Sequence, residues 1–402
     1  FERATGVGLM LVAVAAVIYW LGARGFDAGR DDFFYLADAF LQGRTWVDRG
    51  PLGPHDVITI DGRNYVPFAP FPAIVFMPLV ALIGPVRADE LSSEINAAVA
   101  AGSVGLCWML LGRVGVASLV HRFWLVVLFG FSTALWWVTT RGGVWHTGQI
   151  IATILTLACL IELWGRHRPL LIGLLAGAAF LTRAPLAFAV PFYMLLLDPE
   201  RPRQVAGTIG GYVRSARARW LREALVLGLG TLPAIAFFLW YNLVRFGSPL
   251  ESGYGLASLP DWLEARRELG LFSLDHLGWN IGLAFLNLPA PIPEFPYFKP
   301  DGLGMSVLLT SPGLLLAIRA PWREPRSWWL LGSAVAVLIP TLLYYGGGWL
   351  QYSYRYFLDS VPFLLALAAL AVTRHGLHRF WVLVILFGVA VGLGGVYWVD
   401  KI

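Results

Sequence analysis

Two adjacent carboxylates open the stretch "RDDFFYLADAFLQGR", residues 30–44, which follows the first long apolar segment of the chain. A charge at a membrane boundary is costly unless it is solvated or has a function. One hypothesis is that Asp31 or Asp32 caps the helix that follows and the other is solvated. The other hypothesis is a general base that takes a proton from a hydroxyl acceptor at the membrane surface. The sequence alone leaves open which of the two aspartates would be that base.

The residues after Asp31 have the spacing of an amphipathic helix. Apolar side chains recur at steps of three and four positions: Phe33, Leu36, Ala37, Phe40 and Leu41. This periodicity predicts a helix that lies in the membrane interface with the two acids at its N-terminal end.

Three arginines are candidates for binding an anion on the same side of the membrane. Arg183 in "FLTRAP" interrupts the apolar stretch 169–197, Arg355 lies in "YSYRYFLDSVPFL", and Arg141 opens "RGGVWHTGQ". A recessed arginine needs a negative partner, either a carboxylate or a lipid phosphate, and its planar fork suits phosphate. For Arg355 the alternative is a pair with Asp359 one helical turn later.

Other polar residues in the outer loops are candidates for substrate binding. His146 and Gln149 follow Arg141, Glu251 and Tyr254 lie in the glycine-rich turn "RFGSPLESGYG", and Tyr354 precedes Arg355. His146 is also explained as a polar residue of the interface. No ligand spacing indicates a metal site, and a divalent ion, Mg²⁺ or Mn²⁺, stays open.

Composition places these residues in a polytopic membrane protein. Of the 402 residues, 57% are hydrophobic and 14% charged, with a mean hydropathy of +0.66, which excludes an ordinary soluble domain. No basic stretch is interleaved with a stacking platform, so nucleic acid is not an expected partner. Residues 6–23 lack a small-residue cleavage site, which predicts a retained span rather than a signal peptide.

Hydropathy and loop charge together predict an all-α fold with about eleven transmembrane helices. The predicted spans are 6–23, 91–112, 123–139, 148–164, two within 169–197, 224–244, 303–319, 328–345, 357–373 and 380–398. The proline-rich segment 66–84 is expected to lie in the outer interface. This arrangement gathers arginine in the short loops of one side and leaves the long aromatic loops 24–90 and 245–302 on the other. It predicts a cytoplasmic N-terminus and a multi-pass protein of the cell membrane.

The candidate residues and motifs resemble those of the GT-C superfamily of integral membrane glycosyltransferases. The bacterial relatives of the protein O-mannosyltransferases and the lipid A aminoarabinose transferase are the members concerned. The resemblance rests on "RDDFFYLADAFLQGR", with Asp32 in place of the usual Glu, on "YVPFAPFPAIVFMPLVALIG" and on "FLTRAP". "RFGSPLESGYG" and "YSYRYFLDSVPFL" resemble elements of bacterial members. One departure is "VWHTGQ", which stands where many members carry an acid.

The resemblance implies an inverting transferase with its active site outside the cytoplasm. A polyprenyl-phosphate sugar, such as a mannosyl donor, would give its sugar to a hydroxyl of a lipid, glycan or protein acceptor of the cell envelope. Asp31 would be the base with Asp32 supporting it, and Arg183 and Arg355 would stabilise the leaving phosphate. Residues 1–197 would form the catalytic module, and residues 198–402 a variable transmembrane module.

Three rival classes remain open at the level of sequence. A transporter or flippase of lipid-linked sugars would use the same arginines without a base, but it predicts internal repeats that the chain lacks. A structural subunit would leave the acid pair and Arg183 without a role. An O-antigen ligase-like enzyme would depend on Arg355 and His276 more than on Asp31.

Overall fold

The computed structural model describes residues 2–24, 31–48, 57–197 and 211–398, with side chains from residue 220 onward in the last range. The described chain is mostly helical, as predicted. The α-helices are α1 (Glu2–Ala23), α2 (Asp32–Leu41), α3 (Phe71–Ile83), α4 (Pro85–Glu90), α5 (Ser92–Val114), α6 (Leu119–Phe131), α7 (Ala134–Thr139), α8 (Val144–Leu163), α9 (Pro169–Phe180), α10 (Val190–Leu197), α11 (Gly211–Phe246), α12 (Asp261–Glu268), α13 (Leu277–Ile281), α14 (Val307–Thr310), α15 (Pro325–Leu343), α16 (Val361–His375) and α17 (Arg379–Tyr397).

Short 3₁₀ and π segments and three small strand pairs complete the described structure. The 3₁₀ helices are Ala184–Ala189, Leu274–His276, Pro312–Arg319 and Arg355–Asp359, and the π-helical turn is Gly282–Leu286. The strands are β1 (Ile58–Ile60), β2 (Arg63–Tyr65), β3 (Ala290–Pro291), β4 (Phe298–Lys299), β5 (Leu303–Met305) and β6 (Gln351–Ser353). β1–β2 and β3–β4 are antiparallel, and β5–β6 is parallel. The parallel pair joins two distant loops, 303–305 and 351–353.

Six of the described helices are long and apolar enough to cross a membrane. They are α1, α5, α8, the part of α11 from Trp220 to Phe246, α15 and α17. Each coincides with a predicted span. Their large apolar side chains include many that are exposed, such as Leu9 of α1 and Leu383 of α17, which suits contact with lipid tails. These six helices are compatible with the predicted multi-pass membrane protein.

The predicted count of eleven spans is not confirmed. The segment 303–319 consists of β5, the single turn α14 and a 3₁₀ helix rather than one continuous helix. The segment 123–139 is divided between α6 and α7, because Thr133 has extended backbone and its hydroxyl accepts from Leu135 N as the cap of a new helix. The stretch 169–197 is interrupted at Arg183, as predicted, and gives helices shorter than a full span.

The proline-rich segment 66–84 forms the 13-residue helix α3. Pro70 occupies the N-cap and Pro72 the first turn, where the missing N–H would have no intrahelical partner. Pro78 lies inside the helix and has no backbone N–H, so it cannot donate the usual helical hydrogen bond. At about 1.5 Å per residue such a helix spans roughly 20 Å, short of a hydrocarbon core of about 30 Å. The helix packs on α2. Its place in the outer interface stays a prediction.

Helices α9 and α11 pack with their backbones in close contact. A Cβ atom at Gly173 would lie 2.2 Å from the carbonyl oxygen of Leu227, and one at Gly230 would lie 2.5 Å from that of Leu170. Glycine is therefore required at this crossing, because any side chain would force the two helices apart. The crossing fixes α9, whose C-terminal end leads to Arg183.

Long-range hydrogen bonds join helix ends to segments that are distant in sequence. They involve the N-terminal end of α8, the C-terminal end of α11 and the segments that carry Asp31, Val66, Arg141 and Leu350. Thr147 binds Asp31, Arg245 donates to the carbonyl oxygen of Val66, and Arg141 donates to that of Leu350. Residues 25–30, 49–56 and 198–210, which belong to the predicted loops 24–90 and 198–223, lie outside the described residues.

Candidate active site

Asp31 is the N-cap of α2, and both members of the acid pair are buried. The Asp31 backbone is extended, and its Oδ1 accepts a hydrogen bond of 3.1 Å from Phe33 N. The side chains of Asp31 and Asp32 are 0% and 2% exposed. The capping hypothesis is therefore confirmed for Asp31, whereas the predicted solvation of the other acid is wrong: Asp32 lies in the first turn of α2 and faces protein.

Three helices hold Asp31 in place. From α8, the Thr147 hydroxyl donates a short hydrogen bond to Asp31 Oδ2. From α4, Asp89 Oδ1 accepts from the Asp31 backbone N–H at 2.7 Å, and Asp89 Oδ2 accepts from the Tyr35 hydroxyl of α2 at 3.0 Å. Backbone and side chain of Asp31 are thus fixed from opposite directions.

Asn96 of α5 extends this network toward Arg141. Its Nδ2 donates to Thr147 Oγ1 at 2.9 Å and to the carbonyl oxygen of Arg141 at 3.0 Å. The Thr147 hydroxyl has one proton, which it donates to Asp31. It therefore accepts its other hydrogen bond, from the Asn96 amide. A continuous series of hydrogen bonds therefore connects the Asp31 carboxylate with the loop that carries Arg141.

Burial raises the pKa of Asp31 from 3.8 to about 7. The nearby carboxylates of Asp32 and Asp89 also contribute to the higher pKa, while the hydrogen bonds from Thr147 and the Phe33 backbone lower it in part. A carboxyl group with a pKa near 7 is matched to general-base chemistry at neutral pH.

The raised pKa predicts that Asp31→Asn stabilises the fold, and more so at high pH. A proton bound more tightly in the native state contributes stability that is present below pH 4 and is lost as the pH rises through about 7. Asn caps helices as well as Asp. We expect the variant to gain about 2 kcal/mol more over wild type at pH 8 than at pH 5. Unfolding in detergent at the two pH values measures this, with Asp38→Asn in the same helix as control. An equal gain at both pH values would contradict it.

Arg355 and Arg141 lie beside aromatic side chains, one of them in the first turn of α8. Arg355 is 4% exposed, and its Cζ lies 5.6 Å from the Trp145 ring centroid. The Arg141 Cζ lies 5.3 Å from the ring of Trp137, and the His146 ring meets the same Trp137 ring edge-on at 5.3 Å. Both guanidinium groups interact electrostatically with His146. The structure thus brings Arg355, which is distant in sequence, to Arg141 and His146.

His146 and Gln149 present buried polar atoms on one face of α8. His146 Nδ1 bonds the carbonyl oxygen of Gly142 at 2.9 Å, whereas its Nε2 has no hydrogen-bond partner among the described residues. The same holds for both amide atoms of Gln149, whose side chain is 0% exposed. Unsatisfied buried polar groups are costly. Their retention at the predicted site favours a ligand-binding role over mere anchoring.

Arg183 pairs with Asp359 across 176 residues of sequence. The Arg183 Nε donates to both Asp359 oxygens, at 2.8 and 2.7 Å, and the Asp359 side chain is 0% exposed. The alternative pairing of Arg355 with Asp359 is therefore wrong, because the 3₁₀ turn 355–359 directs Asp359 toward Arg183. The Tyr356 ring centroid lies 5.3 Å from Arg183 Cζ and 5.5 Å from Arg355 Cζ, so the two cations flank one ring.

The remaining predicted residues lie around these arginines with different local bonds. Tyr254 interacts electrostatically with Arg183, and its ring packs edge-on against Phe68. Glu251 Oε1 accepts from Gly253 N at 2.6 Å within its own turn. The buried Tyr354 hydroxyl donates to the carbonyl oxygen of Thr341 at 3.3 Å. Of these three, Tyr254 and Tyr354 both interact electrostatically with Arg183.

Two other expectations concern His276 and a metal ion. His276 is buried, and its Nε2 donates to the carbonyl oxygen of Gly270 at 2.8 Å, a bond that fixes the loop. Among the described residues, no group of three or more His, Cys, Asp or Glu side chains is arranged to hold a metal ion. The option of a bound Mg²⁺ or Mn²⁺ stays a prediction.

Sequence reasoning did not single out Thr147, Asn96 or Asp89 as part of the site. Thr147 stands inside the quoted motif "RGGVWHTGQ", at the fourth position of α8, and that motif was its one signal. Asp89 in "VRADE" and Asn96 in the following span have the composition of an ordinary loop and helix start. Only the packing of α4 and α5 against α2 and α8 shows what they contact.

Comparison with known proteins gives one solved structure with a distant similarity. No protein-family model matches the chain, and no curated protein matches it. A crystal structure of the Archaeoglobus fulgidus oligosaccharyltransferase in its apo form is similar at 14% sequence identity and a TM-score of 0.47. The similarity covers 98% of this chain and 55% of that one, so the chain spans about half the length of that protein.

Proposed function

We propose that the protein is an inverting glycosyltransferase that moves a sugar from a polyprenyl-phosphate donor to a hydroxyl acceptor on the extracytoplasmic face. The observation that carries the proposal is a buried carboxyl group, Asp31, connected through Thr147 and Asn96 to an arginine-bearing loop. A base beside a cluster of cations is what transfer from an anionic lipid requires. In this proposal, residues 1–197 form a catalytic module of GT-C type and residues 198–402 a variable module.

The proposed reaction is a single displacement at the anomeric carbon. Asp31 takes the proton of the acceptor hydroxyl as its oxygen forms a bond to that carbon. The bond between the carbon and the phosphate oxygen breaks on the opposite side, which inverts the configuration. The electron pair stays on the lipid phosphate, where Arg183 and Arg355 stabilise the charge. Although both Asp31 oxygens accept hydrogen bonds, each retains a second lone pair for the acceptor proton.

The neutral polar groups around the cations suit the sugar. His146 Nε2 and the Gln149 amide together offer a donor and an acceptor for sugar hydroxyls, and Tyr254 offers an aromatic face next to Arg183. Arg141, held over Trp137, would contribute to phosphate binding from the other side of His146. Glu251 and Tyr354 support this arrangement through their turns.

A transfer assay tests the proposal. Purified protein is incubated with radiolabelled polyprenyl-phosphate mannose or glucose and a membrane lipid extract. The proposal predicts label in a new product that has lost the polyprenyl chain, together with free polyprenyl phosphate. Saturable donor binding without any product from either donor would count against it and favour a flippase of lipid-linked sugars.

A further inference from the structure

Two residues outside the predicted site contact Asp31 directly. Thr147 donates to Asp31 Oδ2 from α8, and Asp89 accepts from the Asp31 backbone N–H from α4. Asp89 also accepts from the Tyr35 hydroxyl of α2 at 3.0 Å. Thr147 is 0% exposed, and its hydroxyl is used by Asp31 and Asn96.

We propose that Thr147 and Asp89 are positioning residues that set the orientation and the proton affinity of Asp31, in opposite directions. This inference rests on the proposed function, in which Asp31 is the base. The Thr147 hydroxyl bonds the carboxylate that must be ionised, whereas Asp89 places a second negative charge beside it.

The geometry gives each residue a distinct role. A hydroxyl on Oδ2 and a backbone amide on Oδ1 fix the plane of the Asp31 carboxylate, so that its remaining lone pairs have defined directions. Asp89 holds the Asp31 backbone at the helix start, and Tyr35 fixes the second Asp89 oxygen. Among the residues that the structure describes, the charged groups that interact with Asp31 are Asp32 of α2 and Asp89 of α4.

The same hydrogen bonds connect the base with the candidate phosphate site. Asn96 donates to Thr147 and to the carbonyl oxygen of Arg141 with the same amide nitrogen. Movement of the Arg141 loop on donor binding would therefore change the hydrogen bond between Asn96 and Thr147. The hydroxyl of Thr147 is the last step between that loop and the Asp31 carboxylate.

Matched substitutions separate positioning from a structural role. Thr147→Val keeps the shape and removes the hydroxyl, Thr147→Ser keeps the hydroxyl, and Asp89→Asn keeps an oxygen for the Asp31 N–H while removing the charge. The control is Thr156→Val, since Thr156 is also buried in α8 and its hydroxyl donates to the carbonyl oxygen of Ala152. A merely structural role would lower activity without moving its pH dependence.

The first measurement is the pH profile of kcat/KM for transfer, which reports the base in the free enzyme. We expect the rising limb to move up by about one pH unit in Thr147→Val. The rising limb should lie at its wild-type pH in Thr147→Ser and move down by about half a pH unit in Asp89→Asn. The control should leave it in place. A rising limb that stays at its wild-type pH in Thr147→Val would overturn the inference. So would a limb that moves in the same direction in Thr147→Val and in Asp89→Asn.

The second measurement does not depend on turnover. Stability in detergent is followed from pH 5 to pH 8.5, because Asp31 makes it fall as the pH rises through about 7. Thr147→Val should steepen this fall, and Asp89→Asn should reduce it. If these shifts occur while Asp31→Asn retains full transfer activity, the inference about Asp31 stands and its role as the base fails. If neither variant changes the slope, the inference fails independently of the proposed function.

Discussion

Asp31→Asn should lower the rate of sugar transfer by about a thousandfold while leaving binding of the lipid donor largely unchanged. A positioned general base contributes about 10² to 10⁴ in rate, and Asn cannot take the acceptor proton. The fold should survive, because the Asn oxygen can still accept from Phe33 N as the N-cap. The Asn NH2 group then donates to Thr147 Oγ1, whose proton can turn to Asn96 Oδ1 at 3.1 Å. The loss would therefore be chemical rather than structural.

The comparison that identifies the base uses Asp32→Asn. Asp32 lies in the first helical turn, is 2% exposed and adds negative charge near Asp31. We expect this variant to keep measurable turnover, since its carboxylate supports the base and does not take the proton. Rates and donor affinities of both variants are measured on the same preparation. Normal turnover in Asp31→Asn with an inactive Asp32→Asn would move the base by one residue.

Removal of Arg183 should produce the largest loss of stability at the site. Arg183→Ala leaves the 0% exposed carboxylate of Asp359 without its cation, and breaking a buried pair in this way costs about 3 to 5 kcal/mol. Chemical or thermal unfolding in detergent measures the difference from wild type. Unchanged stability would contradict the structural importance of this pair.

A double substitution separates the structural contribution of Arg183 from donor binding. In Arg183→Gln/Asp359→Asn both charges are removed, and the two amides can bond each other, so most of the stability should return. Donor affinity should nevertheless fall by about tenfold, because the fork that binds phosphate is absent. Arg183→Lys, which keeps the charge without the planar fork, should lie between this variant and wild type. An unchanged donor affinity in the double variant would remove Arg183 from the phosphate site.

The helical class and the most hydrophobic helices could be predicted from the sequence. The long helices α1, α5, α8 and α17 follow from uninterrupted apolar runs. The segment 303–319 has a similar composition but forms no long helix. There, β5 pairs with β6 and Ser306 caps a single turn, so contacts with residues distant in sequence override local propensity.

The site was predictable in its residue types and not in its pairings. Asp31 was evident from its place after a span, and its capping role follows from local rules. The partners of Asp31 and Arg183 were not, because Thr147 and Asp359 lie 116 and 176 residues away. The local alternative for Asp359, a pair with Arg355 one turn earlier, was reasonable for an α-helix and failed because the segment is a 3₁₀ turn.

Reconstitution in liposomes distinguishes a protein that transfers a sugar from one that moves an intact lipid across the membrane. Wild-type protein and Asp31→Asn are reconstituted in liposomes that contain a polyprenyl-phosphate sugar labelled in the sugar and an extract of envelope acceptors. We expect a labelled product, chemically distinct from the donor, in wild type and almost none in the variant. Equal movement of intact labelled donor across the bilayer by both proteins, with no new product, would contradict it.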